Sequence, residues 1–255
     1  MQKPVVVIGI GEIGSVFARG FMRLGYPIVP VTRDMDLAVV AAEAKEPEAV
    51  IVAVAEKDLH ATLADIPDAW RDRLILIQNE LLPRDWEQHG LKNPTVTSVW
   101  FEKKKGMDSK VVIPSVAFGE LAGLLADALG SLDIPVRKLS DENELLFELV
   151  LKNLYILTTN IAGLEAGGNV RELWLKHNDL ACAVAGDVLD IQEHLTGQEV
   201  DRTALIEGML AAFDGDPEHG CMGRSAPARL ERALGIADEA GLEAPTLRRI
   251  AKARL

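Results

Sequence analysis

The chain has 255 residues, a formal net charge of −12 at pH 7, 48% hydrophobic residues and two cysteines. A charge of that sign repels a phosphate backbone and disfavours nucleic-acid binding, and two cysteines make no disulfide framework, so a reducing cytoplasm is expected. The length suits one large or two modest domains. The opening apolar run is too short and too glycine-broken for a signal segment, and the absence of about 18 consecutive apolar residues argues against a membrane span.

Residues 5–8, 28–31, 50–54, 74–77, 95–99, 111–113 and 136–139 are short β-rich runs and read as strands. Helical spacing fits 12–24, 37–45, 57–64 and 120–132 between them. This alternation predicts an N-terminal Rossmann domain, a doubly wound parallel sheet, over 1–139. Beyond Ser140 no strand pattern remains. Apolar residues at helical spacing over 141–168, one long segment over 170–195, and shorter ones over 201–213, 226–240 and 245–253 predict an all-helical domain over 140–255 for substrate binding or dimerisation. A ligand is expected in a cleft between the two domains.

The stretch VVVIGIGEIGSVFARG places Gly9, Gly11 and Gly14 in a G-x-G-x-x-G turn between a strand and a helix. The first glycine permits the tight turn, the second lets backbone approach a pyrophosphate, and the third lets helix and strand pack closely. Glu12 and Ile13 complete the turn, and the N–H groups that open the following helix favour an anion. At the end of the second strand, where an acid would hold a ribose and an arginine a 2′-phosphate, the chain has Thr32 and Arg33. NADP is therefore favoured, while Asp34 and Asp36 leave NAD open. Asn79, just beyond the fourth strand, is placed to hydrogen-bond a ribose or a substrate, or to make a turn.

Reduction of a ketone leaves charge on oxygen that needs a proton donor. Lys152 interrupts the apolar run LLFELVLKNLYILTTN, and burial lowers a lysine's pKa towards neutrality. Asn160 lies eight residues on, about 12 Å along a helix, so the two can bracket a small substrate. The alternative for Lys152 is a lysine that snorkels at a domain edge. Lys103, Lys104 and Lys105 read as a solvated loop. His219 and Cys221 in a glycine-rich loop lack an orienting partner, and His60, His89, His177 and His194 have no metal-ligand spacing, so no metal is expected. Trp70, Trp86, Trp100 and Trp174 read as core or interface anchors.

GIGEIG at the N-terminus, QNE after the fourth strand, LKNLYILTTNIAG, and the tail GRSAPARLERALGIADEAGLEAPTLRRIAKAR together resemble the ketopantoate reductase (2-dehydropantoate 2-reductase) family, within the 6-phosphogluconate-dehydrogenase-like group. The resemblance implies NADPH as hydride donor, Lys152 as general acid for a 2-keto acid, and Asn160 as the family's second downstream asparagine. The family's first downstream asparagine is Ile156 here, and its substrate-binding glutamate aligns with Ser225, with Glu231 a turn or two further on. A lysine found in the family after the third strand is absent unless Lys57 replaces it, and the chain is shorter between strands two and three. The expected function is NADP-dependent reduction of a small 2-keto acid, with Asn79, Asn160 and Ser225 as substrate contacts. The alternatives are a non-catalytic NADP(H)-binding sensor or partner protein, and an imine- or opine-type reductase. A homodimer is expected from the apolar helices of the second half.

Overall fold

In the computed structural model, which describes residues 2–254, the chain opens on β1 (Val5–Ile8), every residue of which is buried. A glycine turn leads into α1 (Glu12–Arg23), whose Val16, Phe17 and Phe21 pack into the core beside the sheet. Then follow β2 (Ile28–Val31), α2 (Leu37–Glu43) and β3 (Ala49–Val52). A 3-10 turn at Glu56–Asp58 runs into α3 (Leu59–Ala64), followed by β4 (Leu74–Leu76), α4 (Pro83–Glu87) and β5 (Thr95–Ser98). A small hairpin of β6 (Phe101–Glu102) and β7 (Lys110–Val111) precedes β8 (Ser115–Phe118), α5 (Ala122–Gly130) and β9 (Val136–Lys138).

Among the described residues these strands form one seven-stranded sheet in the order β2-β1-β3-β4-β5-β8-β9, with β6 and β7 paired apart from it. From β2 to β5 all neighbours run parallel, each joined by a helical crossover. This is a Rossmann-type, doubly wound sheet whose switch point lies between β1 and β3. The expected doubly wound parallel sheet is present, with one antiparallel neighbour pair in it: β8 runs antiparallel to β5. The link between them is the β6–β7 hairpin and holds no crossover helix, which an antiparallel neighbour does not need. The strand expected at 111–113 belongs to that hairpin, and the short β8 supplies the sheet strand instead. The valines and isoleucines of β1 and β3 are all buried, as expected for strands covered on both faces. Close approach of α1 to α5 depends on Gly20, where a Cβ would lie 2.6 Å from the Ala128 carbonyl oxygen.

The chain divides into two compact units between Glu148 and Leu149, inside α6 (Glu142–Ala166). From there the second unit holds α7 (Val170–Lys176), α8 (Asn178–Thr196), α9 (Arg202–Gly215), α10 (Ala226–Ala240) and α11 (Pro245–Arg254). The single helix expected over 170–195 is two. His177 leaves helical geometry at φ −133°, ψ 35°, and the His-Asn-Asp sequence around it favours helix ends because such side chains compete for backbone hydrogen bonds. Buried Asp187 on α8 accepts from the backbone N–H of Thr246 at 2.8 Å and of Leu247 at 3.0 Å. A carboxylate from one helix thus caps the start of another. By length and composition α6 alone among the described helices could cross a membrane, but 78% of its most apolar window is buried inside the protein, as in a core helix.

Candidate functional site

The candidate nucleotide site of the first unit is the turn after β1. Gly9 has φ +91°, and a Cβ on it would sit 2.6 Å from the Ala53 carbonyl oxygen beyond β3. A Cβ on Gly14 would fall 2.0 Å from the Gly9 carbonyl oxygen. Both glycines are therefore required by packing of α1 onto the strands. Gly11 differs: a Cβ there meets nothing within 4 Å. It is the N-cap of α1, with no side-chain cap on the helix N-terminus, so its missing side chain leaves room directly above the first-turn N–H groups. This is the arrangement a pyrophosphate needs.

Glu12 begins the helix, and Lys103 Nζ lies 3.1 Å from its carboxylate. The Lys103 side chain is only 14% exposed. The lysine run was expected to be a solvated loop. Its first member instead folds onto the glycine turn, while Lys104 pairs with Glu102 at 3.1 Å. Ile13 is half-buried behind the turn.

Beyond β2 a concavity of about 560 Å³ is lined by Arg33, Asp34, Met35, Asp36, Leu37, Ala38 and Asp65, within the size class of small-molecule sites, roughly 300–1,000 Å³. Arg33 projects into solvent, 85% exposed, with its guanidinium 3.5 Å from Asp58. Asp36 is occupied as the α2 cap, accepting from the Ala38 N–H at 2.8 Å. Thr32 is exposed, and its backbone N–H donates to the Met35 sulfur. Asn79 donates through Nδ2 to Glu56 at 3.3 Å, and Gln78 ties the β4 terminus to the Val52 carbonyl at 2.6 Å. Lys57 is exposed in the turn after β3.

A separate group of polar positions lies on α6, where Lys152, Ile156, Asn160 and Gly163 follow one another at helical spacing. Neighbouring polar positions secure the helix: Asn153 donates to Gln192 of α8 at 2.9 Å, and the Thr159 hydroxyl to the Tyr155 carbonyl at 2.7 Å. Lys152 is 9% exposed, with its ammonium 5.6 Å from the Tyr155 ring centroid. Burial first, and the Arg229 guanidinium second, push its pKa down to about 7. Asn160 is buried and accepts from Arg229 Nη1 at 3.0 Å. The structure thus brings Lys152, Asn160 and Arg229 into one cluster. Ile156, half-buried between the two polar positions, offers it no hydrogen bond. Ser225 is exposed at the N-cap of α10 and makes no side-chain cap bond, and Glu231 is exposed further along that helix.

Arg229 was missed by sequence reasoning. It stands among exposed and apolar residues of an ordinary amphipathic helix, and only its position one turn after the cap hinted at inward orientation. Cys221 is buried and its thiol is pushed up to about 11, chiefly by burial, so it is no nucleophile near neutral pH. It fills space against Gly163, where a Cβ would be 2.9 Å away. His60 and His89 are brought together by α3 and α4, with His60 Nδ1 3.2 Å from His89 Nε2 and His60 Nε2 3.6 Å from Asp85. Trp70, Trp86 and Trp100 are buried anchors, whereas Trp174 lines a groove with Arg171 and Phe213.

The class the fold defines is a two-unit chain: a Rossmann-type unit with an open glycine turn, followed by a helical unit carrying a buried lysine. No family model and no curated protein matches the chain. Solved structures do. A 2-dehydropantoate 2-reductase from Methylococcus capsulatus superposes with a TM-score of 0.69 over 98% of this chain and 95% of that one, at 13% identity. A dimeric ketopantoate reductase from Staphylococcus aureus gives 0.62 over 98% and 96%, at 17% identity. D-mandelate dehydrogenase in complex with NADH gives 0.68 over 98% and 97%, at 12% identity. The chain has the ketopantoate reductase fold from end to end.

Proposed function

We propose that the chain is an NADPH-dependent reductase of a small 2-keto acid. The observation that carries this reading is Lys152, a buried ammonium with a pKa near 7 grouped with Asn160 and Arg229 on the helical unit. A group that titrates near the working pH is suited to proton transfer. The glycine turn fits a dinucleotide, with Gly11 open above the first-turn N–H groups, Glu12, Ile13 and Gly14 bordering the pyrophosphate, and Thr32, Arg33 and Asn79 as further cofactor contacts. The exposed Arg33 guanidinium suits a 2′-phosphate and supports NADPH over the NADH held by D-mandelate dehydrogenase.

When bound, a reduced nicotinamide supplies the hydride that converts the carbonyl carbon to an alcohol. Lys152 gives its proton to the carbonyl oxygen, where the electron pair of the broken π bond collects, and becomes a neutral amine. Its lowered pKa makes both forms accessible near neutrality. Asn160 holds the substrate beside it, with Ser225 at the margin and Asn79 shared with the nicotinamide ribose. The first unit would serve the cofactor and the second the substrate; a dimer is proposed because the similar Staphylococcus aureus ketopantoate reductase is dimeric.

A panel of 2-keto acids assayed by NADPH oxidation, with wild type and Lys152→Ala, tests the reading. Turnover that falls by 10²-fold or more in the variant supports it. NADPH binding with no Lys152-dependent reduction of any keto acid or imine would instead leave a nucleotide-binding module.

A further inference from the structure

We infer that His60 and His89 form a binding site for one divalent transition-metal ion of the zinc, nickel and copper(II) class, which braces α3 against the end of α4. The site lies wholly within the first unit and stands apart from the reductase reading.

The two histidines are 29 residues apart in sequence, and the fold brings His60 Nδ1 to 3.2 Å from His89 Nε2. Two ligands of one ion have that separation. With zinc–nitrogen bonds of about 2.0–2.1 Å, nitrogens 3.2 Å apart subtend an angle of about 100–106° at the ion, close to tetrahedral. Imidazole is also the side chain that suits zinc, nickel and copper. The rings are stacked, with 24° between their planes, so neither blocks the other's approach to a shared ion.

Asp85 sets the tautomer. Its carboxylate faces the opposite nitrogen of His60, Nε2, at 3.6 Å. A negative charge there draws the ring hydrogen to Nε2 and leaves the Nδ1 lone pair facing His89. Carboxylates behind ligating histidines orient the ring in this way. Burial first, then the neighbouring His60 and Arg71, hold the His89 imidazole below its usual pKa, which favours the neutral ring a metal requires. Without an ion the pair satisfies itself through an N–H···N bond. The ion replaces that shared hydrogen with two dative bonds, once the His89 hydrogen has moved to Nδ1. Gln88 brings its amide to 3.5 Å from the same His60 Nδ1. A half-turn of that amide presents its oxygen as a third donor. The His60 side chain is 52% exposed, so water completes the shell.

The scaffold holds these groups in place. Buried Leu59 and Leu63 fix α3 on either side of His60, and buried Trp86 fixes α4. The His89 N–H donates to the Trp86 carbonyl at 3.1 Å, and its own carbonyl accepts from the Arg71 guanidinium. Asp85 is held by accepting the Leu82 N–H at 2.7 Å. The ion thereby clamps the segments that follow β3 and β4, which Glu56 and Asn79 already join at 3.3 Å.

The test is calorimetric titration of zinc chloride into the full, tag-free chain after EDTA treatment and desalting. Wild type is compared with His60→Gln, His89→Gln and Asp85→Asn, with His177→Gln and His219→Gln as controls. Wild type is expected to bind one ion per chain. His60→Gln and His89→Gln should each bind at least about tenfold more weakly, and Asp85→Asn about tenfold more weakly. The two controls should stay within about twofold of wild type. Zinc should also raise the melting temperature of wild type and not of the His60→Gln/His89→Gln double variant. Melting without zinc is the folding control. Nitrogen-detected NMR of wild type, which needs no variant, should show zinc shifting His60 Nδ1 and His89 Nε2 and leaving His60 Nε2 in place. No saturable binding by wild type, undiminished binding in His60→Gln and His89→Gln, loss in the control variants, or a zinc shift at His60 Nε2 in place of Nδ1 would each overturn the site. Wild-type affinity in Asp85→Asn would overturn the orienting role of Asp85.

Discussion

Arg229 and Asn160, 69 residues apart in sequence, share a buried hydrogen bond of 3.0 Å between helices α10 and α6. The bond fixes the amide so that its oxygen faces the guanidinium. Asn160→Leu removes the acceptor of a charged donor and is expected to destabilise the protein by about 1–3 kcal/mol. It should also raise KM for the keto acid. Chemical denaturation and steady-state kinetics on the same preparation measure both effects.

Lys152 predicts a pH dependence of stability. Its pKa in the folded chain is about 7 against an ordinary value of 10.5. Between these values the unfolded chain binds the proton and the folded chain releases it, so the unfolded state holds more protons and stability rises with pH. The penalty is fully present below pH 7. Lys152→Met removes it, so the variant should gain stability at pH 7 while losing activity, and its stability should no longer climb from pH 7 towards 10 through this group. Urea unfolding at several pH values separates the curves.

The glycines of the first turn should separate folding from binding. Gly14→Ala places a methyl 2.0 Å from the Gly9 carbonyl oxygen and is expected to cost more than about 2 kcal/mol of stability. Gly11→Ala meets no protein atom within 4 Å. It should keep the wild-type melting temperature and lose at least tenfold in NADPH affinity, read by nucleotide fluorescence.

The Glu12–Lys103 pair sets charge at the same turn. A carboxylate at the first position of α1 opposes an incoming pyrophosphate, and Lys103 offsets it. Glu12→Gln should tighten NADPH binding by about two- to fivefold, the range of a charge at a helix terminus. Lys103→Met should weaken it, and both differences should shrink at high salt.

The cofactor half of the site was legible in sequence because its chemistry lies in backbone. Glycines at fixed intervals between an apolar run and a helix report a local shape, and Gly9 and Gly14 have the close contacts that spacing implies. The helix carrying Lys152 and Asn160 was legible through its apolar period. Arg229 was not, because its inward direction depends on where α10 lies, and that depends on contacts far apart in sequence. For the same reason the pairing of Lys103 with Glu12, 91 residues away, did not show in a short basic run. The reversal of β8 was hidden by brevity: four residues carry too little pattern to give direction.

Among the described residues β2 has no neighbour on its outer side. Val5 and Gly9 donate their backbone N–H groups to the carbonyls of Pro27 and Val31, so by alternation the backbone of Pro30 faces outward. Proline has no N–H to offer there, and the other border strand, β9, carries exposed Arg137 and Lys138. Both margins of the sheet thereby refuse a further strand, and the protein can do without an outer strand and still resist edge-to-edge aggregation. Pro30→Val returns the missing donor, and light scattering during heating should then register association at lower temperature than in the wild type.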